Sequence, residues 1–331
     1  MLENRVILAG DVGGTKTDLA LFDPGPPLRL VRLETFRTGA FPSLEEMIGA
    51  FLRDGDLPLA AATLGVAGPI VRGTAVLPNV SWNVDARRIA TRIGLAVVTL
   101  LNDLEASAWA VEVLGSADAA TVLAGAPDAA GHQAVIAAGT GLGEAVLLRV
   151  GGRRIAVSTE AGHADFAPRT DLEIELLRWL RRRFGHVSWE RVLSGPGLVN
   201  VHTFLAESGG GAEPPSVTEA IRAGDAAAEI AAAALAGRSE RCALALDVFT
   251  SAYGAEAGNL VLRALATGGV FLGGGIAPKI LPWLLREPFR AAFIDKGRLS
   301  PMVAATPVRA ILDERAAVIG AARRATEGLL A

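Results

Sequence analysis

The amino-acid sequence predicts an α/β protein of two domains, on three observations. A strand, a glycine turn and a second strand stand near the N-terminus, and the same unit returns roughly 130 residues later. Apolar residues recur at helical spacing through most of the long middle, from Asp171 to Ala266. The chain has 331 residues, enough for about two domains that each bury a core.

In chain order, Val6–Ala9 reads as a buried strand, Gly10-Asp11-Val12-Gly13-Gly14-Thr15 as a glycine turn, and 17–22 as the returning strand of a hairpin. A strand is expected over 60–66, ending at Gly68-Pro69, which punctuates the chain strongly. Another is expected over 97–101, stopping at Asn102-Asp103. Residues 104–114 have helical spacing, so Asp103 lies at or near a helix N-terminus. The second hairpin runs from the apolar 134–138 through Gly139-Thr140-Gly141-Leu142-Gly143 to the apolar 145–150. A third glycine cluster, Gly273-Gly274-Gly275, follows a strand over 269–272. The middle holds one Gly/Pro-rich loop, 208–216, and 314–330 reads as a terminal helix able to pack back on the first domain.

Composition excludes several classes. With 51% hydrophobic and 20% charged residues the chain is not disordered. A formal charge of −3 gives no polyanion-binding surface, and the basic cluster Arg178, Arg181, Arg182 and Arg183 is interleaved with Leu176, Leu177 and Leu180, as on a solvated helix face. No nucleic-acid partner is expected. No apolar run approaches the roughly 20 residues needed to span a bilayer, and the N-terminus lacks the pattern of a signal peptide, so a cytoplasmic protein is expected. The single cysteine, Cys242, can form neither an internal disulfide nor a thiolate cluster, and reads as a buried structural thiol.

Glycine turns beside strands can aim several backbone N–H groups at one anion, because no Cβ blocks the approach. Neither common phosphate motif fits. Gly14 is followed by Thr15 and Lys16 rather than by Lys, and a strand rather than a helix follows both turns. A hairpin turn with Asp, Gly-Gly and Thr nevertheless suits phosphoryl transfer: amides and the Thr15 hydroxyl can meet phosphate oxygens, and Asp11 can hold Mg²⁺ directly or through water. Alone, such a loop is also read as a tight turn, but here it occurs twice and a third glycine cluster follows.

Asn102-Asp103 ends a strand, where α/β folds place ligands. A carboxylate there can take the proton of an attacking hydroxyl, and it can equally cap the following helix. Glu160, Gly162 and His163 share one turn, and Glu190 precedes Ser194-Gly195-Pro196-Gly197. Carboxylates and imidazoles can pair with vicinal sugar hydroxyls. Glu160 and His163 as zinc ligands are disfavoured, since no cysteine accompanies them.

These segments in this order resemble the bacterial ATP-dependent glucokinases of the non-ROK type, within the hexokinase/actin/Hsp70-like ATPase superfamily. The resemblance spans nearly the whole chain. Its carriers are Gly10 to Thr15, Val66-Ala67-Gly68-Pro69, Asn79 with Trp82, Leu101-Asn102-Asp103, Ala138 to Gly143, Glu160 to Phe166, Glu190 to Asn200, and Gly269 to Ile276. It implies a two-domain actin-like/ribonuclease H-like ATPase fold with a hexose cleft: a small domain of 1–112 plus 308–331 and a large one of 113–307. It implies transfer of the ATP γ-phosphoryl group to the 6-hydroxyl of D-glucose, with Mg²⁺, by a homodimer. Asp103 would be the base, with Asn102 and Asn79 on the sugar. Glu160, His163 and Glu190 would bind other hydroxyls. Gly10, Asp11, Val12, Gly13, Gly14 and Thr15 with Gly139, Thr140 and Gly141 would hold the phosphates, and Gly274 would lie near the adenosine.

Three positions depart from the family pattern: Lys16-Thr17 in place of Asn-Ala, Pro78 before Asn79, and Glu144 after the second turn. The ROK branch is disfavoured because its cysteine-rich zinc motif cannot exist with one cysteine. The alternatives are a same-fold kinase for mannose, fructose or an amino sugar, and a non-catalytic sugar-sensing regulator. An assembly or chaperone ATPase would leave the acid–imidazole turn unexplained.

Overall fold

A computed structural model of the protein describes residues 5–53, 57–77, 80–126, 128 and 130–330. The chain divides into two compact units. The first comprises the chain to Gly115, Ala156–Ser158 and everything from Asp313 onward; the second comprises Ser116–Ile155 and Thr159–Leu312.

In the first unit the strands are β1 (Val6–Val12), β2 (Lys16–Asp23), β3 (Arg29–Arg37), β4 (Leu59–Val66), β5 (Thr74–Leu77), β6 (Trp82–Asp85) and β7 (Thr99–Asn102). The helices are α1 (Leu44–Phe51), α2 (Ala86–Ile93) and α3 (Asp103–Ala110). Five strands form a sheet in the order β3-β2-β1-β4-β7. β1 and β2 are the expected antiparallel hairpin, and β4 and β7 run parallel to β1. The register pairs Val12 with Val66 and Val66 with Asn102, so three strand C-termini lie level at one edge.

β1 is apolar at successive positions because both faces of the sheet are covered. Val6, Leu8 and Val12 join the core made with Leu44, Met47, Ile48 and Phe51 of α1, whereas Ile7 and Ala9 pack on the terminal helix. That helix spans Ala316–Leu330 and contributes Val318, Ala321, Ala322 and Ala325. Its Gly320 is set against α3 so closely that a Cβ there would lie 1.7 Å from the Ala106 carbonyl oxygen.

The second unit holds β8 (Ala119–Leu123), β9 (Gln133–Ala138), β10 (Leu142–Val150), β11 (Arg153–Thr159), β12 (Gly269–Gly273) and β13 (Val308–Ile311), in the order β11-β10-β9-β12-β13-β8. The first five repeat the order of the other sheet, the antiparallel hairpin β9–β10 included. β13, which the sequence-based boundary at 308 gave to the small domain, pairs with β12 in this sheet, and the chain crosses back at Asp313.

The expected helical middle is α4 (Asp171–Phe184), α5 (Gly195–Glu207), α6 (Pro215–Ala223), α7 (Ala226–Leu235) and the 25-residue α8 (Glu240–Ala264). α8 carries Phe249 and Tyr253 into the core, and the Tyr253 hydroxyl donates to the Ile136 carbonyl at 3.0 Å. On α4, Arg183 stacks on Trp179 and pairs with Glu207, and Arg178 pairs with Glu175, as a solvated face requires. Among the described residues no helix is long and apolar enough to cross a membrane.

Candidate functional site

In the first unit, the level strand ends bring Asp11, Asn102 and Asp103 to one edge of the sheet. Asn102 is the N-cap of α3: its Oδ1 accepts from the Leu104 N–H at 2.9 Å, and its Nδ2 donates to the Gly68 carbonyl at 3.2 Å. The Glu105 carboxylate accepts the Asn102 N–H in return, closing a capping box. Asp103 therefore begins the helix rather than preceding it, and its Oδ1 shares the Leu104 N–H at 2.9 Å.

The first glycine turn is pinned from behind. Gly13 N–H donates to the Lys16 carbonyl at 3.0 Å, and Thr38 Oγ1 donates to the Gly13 carbonyl at 2.8 Å. Thr38 N–H donates to the Thr15 carbonyl at 2.9 Å. Thr17, one of the departures from the family pattern, is fully buried and donates to Thr38 Oγ1 at 2.9 Å. Lys16, which departs together with it, is tied to Asp18 at 2.9 Å. Burial pushes the Asp11 carboxyl up to about 6; the negative charges of Asp103 and Asp18 add to this, and Lys16 opposes it. Asp11 and Asp103 thus form a partly desolvated acidic site with oxygen donors, the chemistry a hard cation such as Mg²⁺ requires.

In the second unit, Gly139 N–H donates to the Gly141 carbonyl at 2.9 Å, and the Gly139 carbonyl accepts from Gly195 N–H, at the start of α5, at 2.8 Å. Leu142 N–H donates to Glu190 Oε2 at 3.0 Å. Glu190 lies in the short 3₁₀ turn Trp189–Arg191, and Glu160 precedes a matching turn, Ala161–His163. The two turns are joined by Trp189 N–H on the Ala164 carbonyl at 2.9 Å and Phe166 N–H on the Val187 carbonyl at 3.0 Å. Glu160 and His163 are exposed and Glu190 is half-buried.

Gly274 completes this half. It follows β12 with φ +79°, and a Cβ there would lie 2.3 Å from the Ala138 carbonyl oxygen, so only glycine fits beside the strand that feeds the second turn. Asn79 and Pro78 lie outside the described residues.

Sequence reasoning grouped Glu190 with the sugar-facing acids but missed its bond to the glycine turn; the partners are 48 residues apart. It also missed Ser194, whose Oγ donates to the Glu190 carbonyl at 2.8 Å and accepts from Gly197 N–H at 3.0 Å, capping α5. A Ser before Gly-Pro-Gly was the available signal. Glu144, left without a role, is fully buried on β10 beside Glu256, which Arg263 holds through two hydrogen bonds.

Comparison with known proteins gives the family and the fold. Residues 8–328 match the glucokinase family model. The chain is 39% identical to the glucokinase of Nostoc sp. (strain PCC 7120), over 96% of this chain and 98% of that one. Among solved structures, a glucokinase from an Antarctic psychrotroph superposes with a TM-score of 0.87 at 31% identity, covering 97% of this chain and 99% of the other. A ROK family glucokinase from Streptomyces griseus, solved in complex with glucose and AMPPNP, shares the fold at a TM-score of 0.64 and 21% identity, over 98% and 100% of the two chains. These neighbours bear out the actin-like ATPase fold. The chain belongs to the glucokinase family.

Proposed function

We propose that the protein transfers the γ-phosphoryl group of ATP to the 6-hydroxyl of D-glucose, giving glucose 6-phosphate and ADP. The observation that carries this reading is the edge where Asp103 stands beside Asp11 at the level ends of β1, β4 and β7. Asp103 accepts the proton of the sugar 6-hydroxyl as that oxygen attacks the γ-phosphorus, and the bond to the ADP oxygen breaks in line. Asn102, fixed through Gly68 and Leu104, orients the sugar beside it. Glu160, His163 and the Oε1 side of Glu190 take the remaining hydroxyls, and Asn79 is assigned to the sugar on the family resemblance.

Backbone amides of the two glycine turns, with Thr15 and Thr140, hold the phosphates, and the close approach at Gly274 leaves room for the adenosine. Asp11 and Asp103 fit Mg²⁺, which when bound neutralises phosphate charge. The homodimer and the cytoplasmic location belong to the same proposal and rest on the family resemblance. The test is a coupled assay of sugar phosphorylation with ATP across glucose, mannose, fructose and glucosamine. The highest kcat/KM is expected for glucose; a clear preference for another sugar assigns the chain to a different hexose.

A further inference from the structure

Away from the residues assigned above, metal-ligating side chains of three segments converge in the second unit. His202 comes from α5, Glu213 from the loop before α6, and Cys242 from the first turn of α8. One ligand atom from each lies within 4.8 Å of the others. The side chains of His202 and Glu213 are 10% and 2% exposed, and Cys242 is fully buried. The two Glu213 oxygens have divided roles. Oε1 accepts from Thr218 Oγ1 at 2.9 Å and faces Arg241 Nη1 at 3.4 Å. Oε2 faces His202 Nε2 at 2.6 Å, Ser239 Oγ at 3.4 Å and Cys242 Sγ at 3.5 Å.

We propose that His202, Glu213 and Cys242 bind one borderline-soft divalent cation of the Zn²⁺ class, with the Ser239 hydroxyl or a water as fourth ligand. In a tetrahedral site with metal–ligand bonds of about 2.0–2.3 Å, neighbouring ligand atoms stand about 3.3–3.8 Å apart. The Cys242–Glu213 and Ser239–Glu213 spacings, 3.5 and 3.4 Å, already match, and the His202–Glu213 pair, at 2.6 Å, has to open by under about 1 Å. A nitrogen, a sulfur and a carboxylate oxygen suit Zn²⁺ or Co²⁺ and disfavour Mg²⁺ and Ca²⁺, which prefer oxygen alone.

Thr218 and Arg241, on the far oxygen, orient the carboxylate as outer-shell partners do. Arg241 also donates to the carbonyls of Gly210 and Gly211 at 3.2 Å, which fastens the Gly/Pro-rich loop. Binding releases the Cys242 thiol proton and displaces the proton that His202 and Glu213 share. The cation joins α5, this loop and the start of α8, a structural role separate from phosphoryl transfer.

The test uses the whole protein, freed of metal with a chelator and held without nucleotide or sugar, titrated with Co²⁺. One equivalent is expected to give a thiolate-to-cobalt charge-transfer absorption that Zn²⁺ displaces. Zn²⁺ at 100 times its Kd should raise the melting temperature by several degrees. Cys242→Ser should lose the charge-transfer band, and His202→Ala should weaken Co²⁺ binding at least tenfold. If the folded wild-type protein shows no such band and no Zn²⁺-dependent melting shift, the cluster is a hydrogen-bonded staple and the proposal fails. A band of undiminished strength in Cys242→Ser also overturns it. Both wild-type readouts stand whether or not the variants fold.

Discussion

Glu190 Oε2 accepts the Leu142 backbone N–H at 3.0 Å, so a single carboxylate ties the second glycine turn to the turn that carries it. On the roles proposed for Glu190 and the second glycine turn, one side chain then bears on both the sugar and the nucleotide. Gln at 190 keeps an acceptor for Leu142 and removes the charge; Ala removes both. Glu190→Gln is expected to raise the KM for glucose with little change in the KM for ATP, whereas Glu190→Ala raises both. Loss of a charged hydrogen bond is worth about 1.5–3 kcal/mol, or roughly 10- to 100-fold. Steady-state kinetics with each substrate varied in turn checks this, and an unchanged KM for ATP in the Ala variant contradicts it.

Asn102 caps α3 and also holds Gly68. Asn102→Ala is expected to cost about 0.5–2 kcal/mol of stability through the lost cap and to lower kcat, because Asp103 begins the helix that the cap fixes. Asn102→Asp keeps the cap, loses the donor to Gly68 and adds a negative charge beside Asp103. It should recover most of the stability and little of the activity. Urea denaturation and kcat on the two variants separate these effects.

Gly274 combines a φ of +79° with a Cβ position 2.3 Å from the Ala138 carbonyl oxygen. Gly274→Ala is expected to destabilise by about 1–3 kcal/mol from the backbone alone, with the steric clash adding to it. The KM for ATP should rise as β9 and β12 are pushed apart. A variant with wild-type stability and ATP KM would remove Gly274 from the nucleotide side.

Glu144 gives stability a pH dependence. Burial, and then the like charge of Glu256, push its carboxyl from 4.5 up to about 8, against the pull of Arg263, 3.7 Å away. The folded state therefore binds more protons than the unfolded state between those values. The contribution is fully present below about 4.5 and is lost as pH rises to about 8. Glu144→Gln cannot ionise, so it should flatten this decline and gain most over wild type at alkaline pH. Melting temperatures of both proteins from about pH 5 to 9 test it; parallel curves would refute it.

The two hairpins were legible because Val6–Ala9 and 134–138 are unbroken apolar runs cut off by glycines, and such runs have few alternatives. That one pattern also pointed to a duplicated architecture, though the strand order the two sheets share was not legible in it. The position of the cap was not legible: Asn102 and Asp103 are adjacent, both can accept the Leu104 N–H, and the extended backbone of Asn102 decides between them. Asn79 falls outside the described residues. The Glu144–Glu256–Arg263 group and the His202–Glu213–Cys242 cluster were invisible, because tertiary packing alone brings β10 to the middle of α8, and α5 and the loop before α6 to its start. Local pattern carries no record of a charge buried by a distant helix.

The most direct test of the central claim is Asp103→Asn, assayed for glucose 6-phosphate with ATP alongside calorimetric titration of glucose. Loss of the base is expected to cut kcat at least ~10²-fold while glucose still binds within about tenfold of wild type, since the other polar contacts remain. Turnover near wild type in a folded, glucose-binding Asp103→Asn protein would contradict the assignment of Asp103 as the base.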